Sequence, residues 1–111
     1  MFGKKPENKP DVHLFSIYDT KVGVYSMPTE AMNEHDIVRQ FTNLFEDGRQ
    51  AQTKYFVNAE DFQIFRIGYF DRHGGEIISQ KPEHIANLHE LKTLALQKTP
   101  PAPAQLGIVP T

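Results

Sequence analysis

Five histidines, three serines and several acidic pairs are the side chains of this 111-residue chain able to do covalent, acid–base or metal chemistry. The histidines are His13, His35, His73, His84 and His89. Two metal ligands on one helix need i, i+4 spacing to share a face. His84 and His89 are five apart, and His35 beside Asp36 is a neighbour in sequence only. Ser16, Ser26 and Ser79 lie outside any G-x-S-x-G turn, and there is no cysteine. Glu46–Asp47 and Glu60–Asp61 fall at expected element ends, where carboxylates cap and stay solvated. Gly74–Gly75 leads into no phosphate-loop pattern and predicts a turn. The expectation is a non-enzyme with no cofactor and no metal site.

A different chemistry is better represented. Tyr18, Tyr25, Tyr55, Phe65 and Tyr69 are interleaved with Lys21, Lys54, Arg66 and Arg72. Such mixtures bind single-stranded nucleic acid: rings stack on unpaired bases while cations follow the phosphates. The candidate nucleic-acid-binding residues are Tyr69, Arg66, Arg72, Phe65, Tyr18, Lys21, Lys54 and Tyr55. The competing expectation is that the rings are core, or the interface of a homodimer. Tyrosine suits an exposed role better than phenylalanine because its hydroxyl tolerates water. Arg66 interrupts an apolar stretch, so it either snorkels at an edge or meets a phosphate or carboxylate. The formal net charge of −2 excludes a generally basic duplex binder, and binding would have to rest on a local patch, on stacking or on several subunits.

The elements that must position these residues follow from periodicity. Residues 12–18 and 22–26 have strand composition, joined either by a tight hairpin or by a bulge at Asp19-Thr20-Lys21, and Pro28 stops the second. Ile37, Val38, Phe41, Leu44 and Phe45 form one helical stripe over 33–46, with Thr29 or Asn33 as cap and Gly48 as stop. Residues 49–58 read as a polar connection, and 58–61 as a single turn leading into a strand over 62–70. Strict alternation puts Phe62, Ile64, Arg66, Gly68 and Phe70 on one face of that strand and Gln63, Phe65, Ile67 and Tyr69 on the other. Asp71 to Gly75 predicts a hairpin loop, and 76–79 a return strand. Pro82 and Glu83 then open a second helix, with Leu94 and Leu96 widening its apolar stripe. The fold class is α+β: a small antiparallel or mixed sheet of three to four strands with two helices, in the order β(β)-α-β-β-α.

Length fits one domain, over residues 11–98. Residues 1–10 carry Lys4, Lys5 and Lys9 and read as a flexible basic arm; residues 99–111 hold four of the eight prolines and read as an extended tail. No apolar run is long enough to span a bilayer, and the absence of cysteine suits a cytoplasmic location.

The run Glu60 to Asp71 (EDFQIFRIGYFD) followed by Gly74–Gly75 resembles the small nonstructural protein of gokushovirus-type microviruses, the Microviridae, which are single-stranded-DNA bacteriophages. Three further pieces agree in order and spacing: Ile17 to Gly23 before Pro28, Asn33 to Phe41, and Ala59 to Phe62. Together they span roughly residues 14–90. The resemblance implies a DNA-binding accessory protein of viral DNA replication in the host bacterial cytoplasm. It would bind single-stranded DNA and favour single-stranded genome synthesis ahead of packaging. It supplies no catalytic residues. The alternative is a non-catalytic adaptor docking on the replication initiator, the procapsid or a host replication factor. The acidic helix residues Glu34, Asp36, Glu46 and Asp47 suit that alternative.

Overall fold

A computed structural model of the chain describes residues 12–98. The basic arm and the proline-rich tail lie outside the described residues. The element order is β1 (Val12–Asp19), β2 (Val24–Tyr25), β3 (Thr29–Ala31), α1 (Glu34–Glu46), α2 (Lys54–Val57), β4 (Phe62–Asp71), β5 (Glu76–Asn87) and α3 (Leu88–Lys98). Short 3-10 turns at Gly48–Gln50 and Ala59–Asp61 flank α2. The sheet is antiparallel in the order β2-β1-β4-β5, with β3 beside β2 on the same edge of β1. The fold is α+β, as the periodicity predicts, with more strands and one more short helix.

Among the described residues the helices lie on one side of this sheet. The core joins Phe15, Ile17, Phe62 and Ile64 from the strands to Ile37, Phe41 and Phe45 of α1 and to Leu88, Leu91 and Ala95 of α3. Asn33 caps α1 by accepting a hydrogen bond from Asp36 N–H (2.8 Å), and the Asp36 carboxylate accepts from Met32 N–H (2.9 Å). This reciprocal pair satisfies donors that the first helical turn leaves open. At the far end, Lys92 ties α3 to α2 by donating to the Phe56 carbonyl (2.8 Å) while lying over the Phe56 ring.

The junction of β1 and β2 is a tight hairpin. Asp19 accepts from Lys21 N–H and Gly23 N–H reaches the Asp19 carbonyl, with Gly23 at φ +74°. Where Pro28 interrupts the β2–β3 edge, Ser26 replaces the lost ladder: its backbone N–H donates to the Ile17 carbonyl, and its hydroxyl accepts from Ile17 N–H (2.9 Å). Ser16, fully buried, donates to the Ser26 carbonyl (2.8 Å).

The second helix begins later than its sequence pattern predicts. Residues 82–87 continue β5, pairing His84 with Phe65 and Ala86 with Ile64, and α3 starts at Leu88. Extended β4 offers these residues a ladder of hydrogen bonds, which outweighs their helical spacing. Pro82 fits because the β4–β5 register shifts between Arg66 and Gly68, leaving residues 80–82 without partners in β4. Leu94 and Leu96 do not widen the buried stripe; they are exposed.

Strict alternation also fails in β4. Phe15 faces Arg66 and Leu14 faces Gly68, so Ile67 is an extra residue, a β-bulge. Beyond it the faces exchange. Tyr69 pairs with His13, which pairs on its other side with the core residue Ala31, so Tyr69 belongs to the helix side with Arg66. Gly68 is required at this crossing, since a Cβ there would sit 2.5 Å from the Ile78 carbonyl oxygen.

Gly68→Ala is therefore expected to lower stability by about 2 kcal/mol, through overpacking against backbone that has no room to move, as read from urea denaturation. A second expectation concerns acid. The hydrogen bond from Met32 N–H, and then Arg39, hold the Asp36 carboxyl below its ordinary value of 3.8. A depressed folded pKa contributes stability above the unfolded value that is lost as the pH falls through the folded one. Asp36→Asn should melt below wild type at neutral pH and converge with it well below pH 3.8.

Candidate nucleic-acid interface

The face of the sheet opposite the helices is built from rows of residues that register across the strands. Tyr25 pairs with Tyr18, Tyr18 with Gln63, and Gln63 with Asn87. In the next row Ser16 pairs with Phe65 and Phe65 with His84. Four rings from four neighbouring strands thus meet on this open face. Tyr18 and Tyr25 lie 4.6 Å apart between centroids, Tyr25 and Phe65 5.6 Å, Tyr18 and Phe65 6.0 Å, and Phe65 and His84 5.4 Å. All four contacts are tilted or edge-on, with interplanar angles of 46°, 79°, 82° and 81°, which suits ring quadrupoles.

Ser16 makes the tile continuous. Tyr25 from β2 reaches Phe65 on β4 across β1, and the β1 residue of that row is a serine whose hydroxyl is already used on Ser26. A larger side chain at 16 would part the rings. The tile is half open to solvent: Phe65 and Tyr18 are partly buried, Tyr25 is 45% exposed and His84 is exposed. Lys21 borders it, in the turn whose Gly23 lies against the Tyr18 hydroxyl.

The candidate residues read from sequence divide accordingly. Tyr18, Phe65 and Lys21 come together at the tile. Tyr69 and Arg66 do not join them. Arg66 is 7% exposed, on the helix side, between Glu34 (3.8 Å) and Glu83 (3.6 Å), with its guanidinium over the Phe15 and Tyr69 rings. It meets carboxylates and aromatic faces and has no open surface for a phosphate. Tyr55 packs edge-on against Phe41 and Phe62 in the core, with Lys54 above it. Arg72 is exposed in the β4–β5 turn, six to seven residues and about 20 Å of strand from Phe65. Two tile members, Tyr25 and His84, are absent from the sequence-derived set. Tyr25 had the right residue type; His84 looked helical, and nothing local showed that it would pair with Phe65.

Among the described residues no three His, Asp or Glu side chains group closely enough to hold a metal ion, and no helix is long and apolar enough to cross a membrane.

The geometry defines a class: a small α+β protein with helices on one side of an antiparallel sheet and an aromatic tile on the other. The chain belongs to the Phage ORF5 protein family, whose model matches residues 12–91, and is therefore a bacteriophage-family protein. That span covers the whole sheet, α1 and the first turn of α3. No curated protein and no solved structure gives a significant match to the chain.

Removing the buried cation should be costly. Arg66→Ala is expected to lose roughly 2 kcal/mol or more, since it empties a packed, buried site under two rings, whereas Tyr25→Ala at the open face should lose under about 1 kcal/mol. Urea titration of both variants checks the contrast.

Proposed function

We propose that this protein is a non-enzymatic accessory factor of a microvirus-type bacteriophage, working in the host cytoplasm, that binds single-stranded DNA on the aromatic tile. The carrying observation is the four-ring surface of Tyr25, Tyr18, Phe65 and His84 on the face of the sheet that none of the described helices covers. Unpaired bases offer π faces that such a surface can stack, at about 1–3 kcal/mol per base. A duplex hides those faces in its own stack, so the tile discriminates in favour of single strands. Lys21 supplies a cation at the border of the tile, and the net charge of −2 keeps the electrostatic share of binding small. A protein that holds single strands would favour single-stranded genome synthesis before packaging. A homodimer would present two tiles and gain avidity without new contacts; light scattering gives its mass.

The test is titration of a labelled oligo-dT at two salt concentrations, with a duplex competitor. Tyr18→Ala and Phe65→Ala should each weaken binding roughly 5-fold to 100-fold while leaving circular dichroism unchanged. Absence of single-strand binding at low salt, or equal affinity for duplex, would sink the proposal.

A second reading is an adaptor that docks on the replication initiator, the procapsid or a host replication factor. Val22, Val24, Met27 and Met32 favour it, all exposed along residues 22–32, with Met27 at 84%. Partners retained in a nuclease-treated pull-down, and lost with Met27→Lys but not with Phe65→Ala, would select this reading over the first.

A further inference from the structure

His84 is the one histidine of the tile. His13 stands on the helix side against Tyr69 and Phe15, His35 lies on α1, His73 in the β4–β5 turn and His89 on α3. The imidazole of His84 is held from two sides. Its edge meets the Phe65 ring at 5.4 Å and 81°, and its Nε2 lies 2.8 Å from Asn87 Oδ1. Asn87 in turn donates through Nδ2 to Glu90 Oε2 (3.3 Å). A carboxylate only accepts, so this bond fixes the Asn87 amide with its nitrogen toward Glu90 and its oxygen toward His84. The oxygen requires a donor, so Nε2 of His84 carries its hydrogen. Nδ1 is then the nitrogen that takes up the second proton, and doing so converts it from acceptor to donor and makes the ring a cation.

We infer that His84 is a proton-controlled contact for the phosphate backbone of single-stranded DNA, so that the tile binds more tightly as the pH falls. This deepens the single-strand-binding proposal and rests on it. The surroundings place the charge usefully. From α3, Glu90 reaches the ring only through Asn87. Within β5, Glu83 pairs with Arg66, which belongs to the helix side. On the β4 side stands Phe65, and beyond it the phenols of Tyr18 and Tyr25 and then Lys21. Protonated His84 and Lys21 would flank the rings from opposite edges of the sheet, as a strand lying across the tile requires. The chain carries −2 with its histidines neutral, so one added proton at the tile lowers the long-range repulsion of phosphate.

The experiment uses the full chain and an oligo-dT carrying a pH-insensitive fluorophore, since thymine does not titrate in this range. Affinities are compared at about pH 8 and about pH 6 at constant ionic strength. Wild type should bind roughly fivefold or more tightly at the lower pH, with a salt dependence steeper by about 0.7 in log–log slope, the value of one added phosphate contact. His84→Gln should bind more weakly at both pH values, with an affinity ratio between them near one. His84→Arg should also give a flat profile, and should bind more tightly than His84→Gln at the higher pH. Single-strand binding by wild type that ignores pH, or a pH gain that survives in His84→Gln, overturns the role of His84 and leaves the tile standing. No binding by wild type at either pH overturns the tile, and His84 with it.

Discussion

The extra residue at Ile67 governs the layout of the sheet. On both sides of β4 the register shifts between Arg66 and Gly68, by one residue against β1 and by two against β5. Before the bulge, even-numbered residues enter the core and odd ones face outward; after it the two exchange. The bulge thus separates Phe65 from Tyr69, which a regular strand would put on the same face. Against β5 the same step leaves Gln80 to Pro82 without ladder partners and sets Glu83 opposite Arg66. A second shift in the β4–β5 ladder, between Ile64 and Phe65, leaves Ile85 unpaired and makes His84 the partner of Phe65.

Burial of Arg66 is tolerable because of what surrounds it. Two carboxylates from different elements, Glu34 of α1 and Glu83 of β5, sit within 4 Å, and two ring faces lie under the guanidinium. The arrangement links the start of α1 to the bowed segment of β5. It is a structural clamp on the helix side of the sheet, and the open side carries the rings.

Much of the architecture was legible locally. The stripe Ile37, Phe41 and Phe45 and the cap Asn33 marked α1, and Asp71 with Gly75 (φ +69°) marked the β4–β5 turn. Both rest on contacts a few residues apart in sequence. The start of α3 was not legible, because Ile85, Leu88 and Leu91 carry helical spacing whether or not a neighbouring strand recruits residues 82–87. β3 escaped for the same reason: Thr29–Ala31 becomes a strand through β1, not through its own composition.

The sequence by itself determined the α+β class, the stripe of α1 and a supply of rings interleaved with cations. Which of those rings face outward was decided only by tertiary structure. Alternation is a property of a regular strand, and a bulge is set by the competing registers of its two neighbours, so no window of residues within β4 contains it. Tyr18, Tyr25, Phe65 and His84 share a surface because four strands align there, whereas Arg66 faces the other side by plain alternation and Tyr69 is turned to that side by one inserted residue.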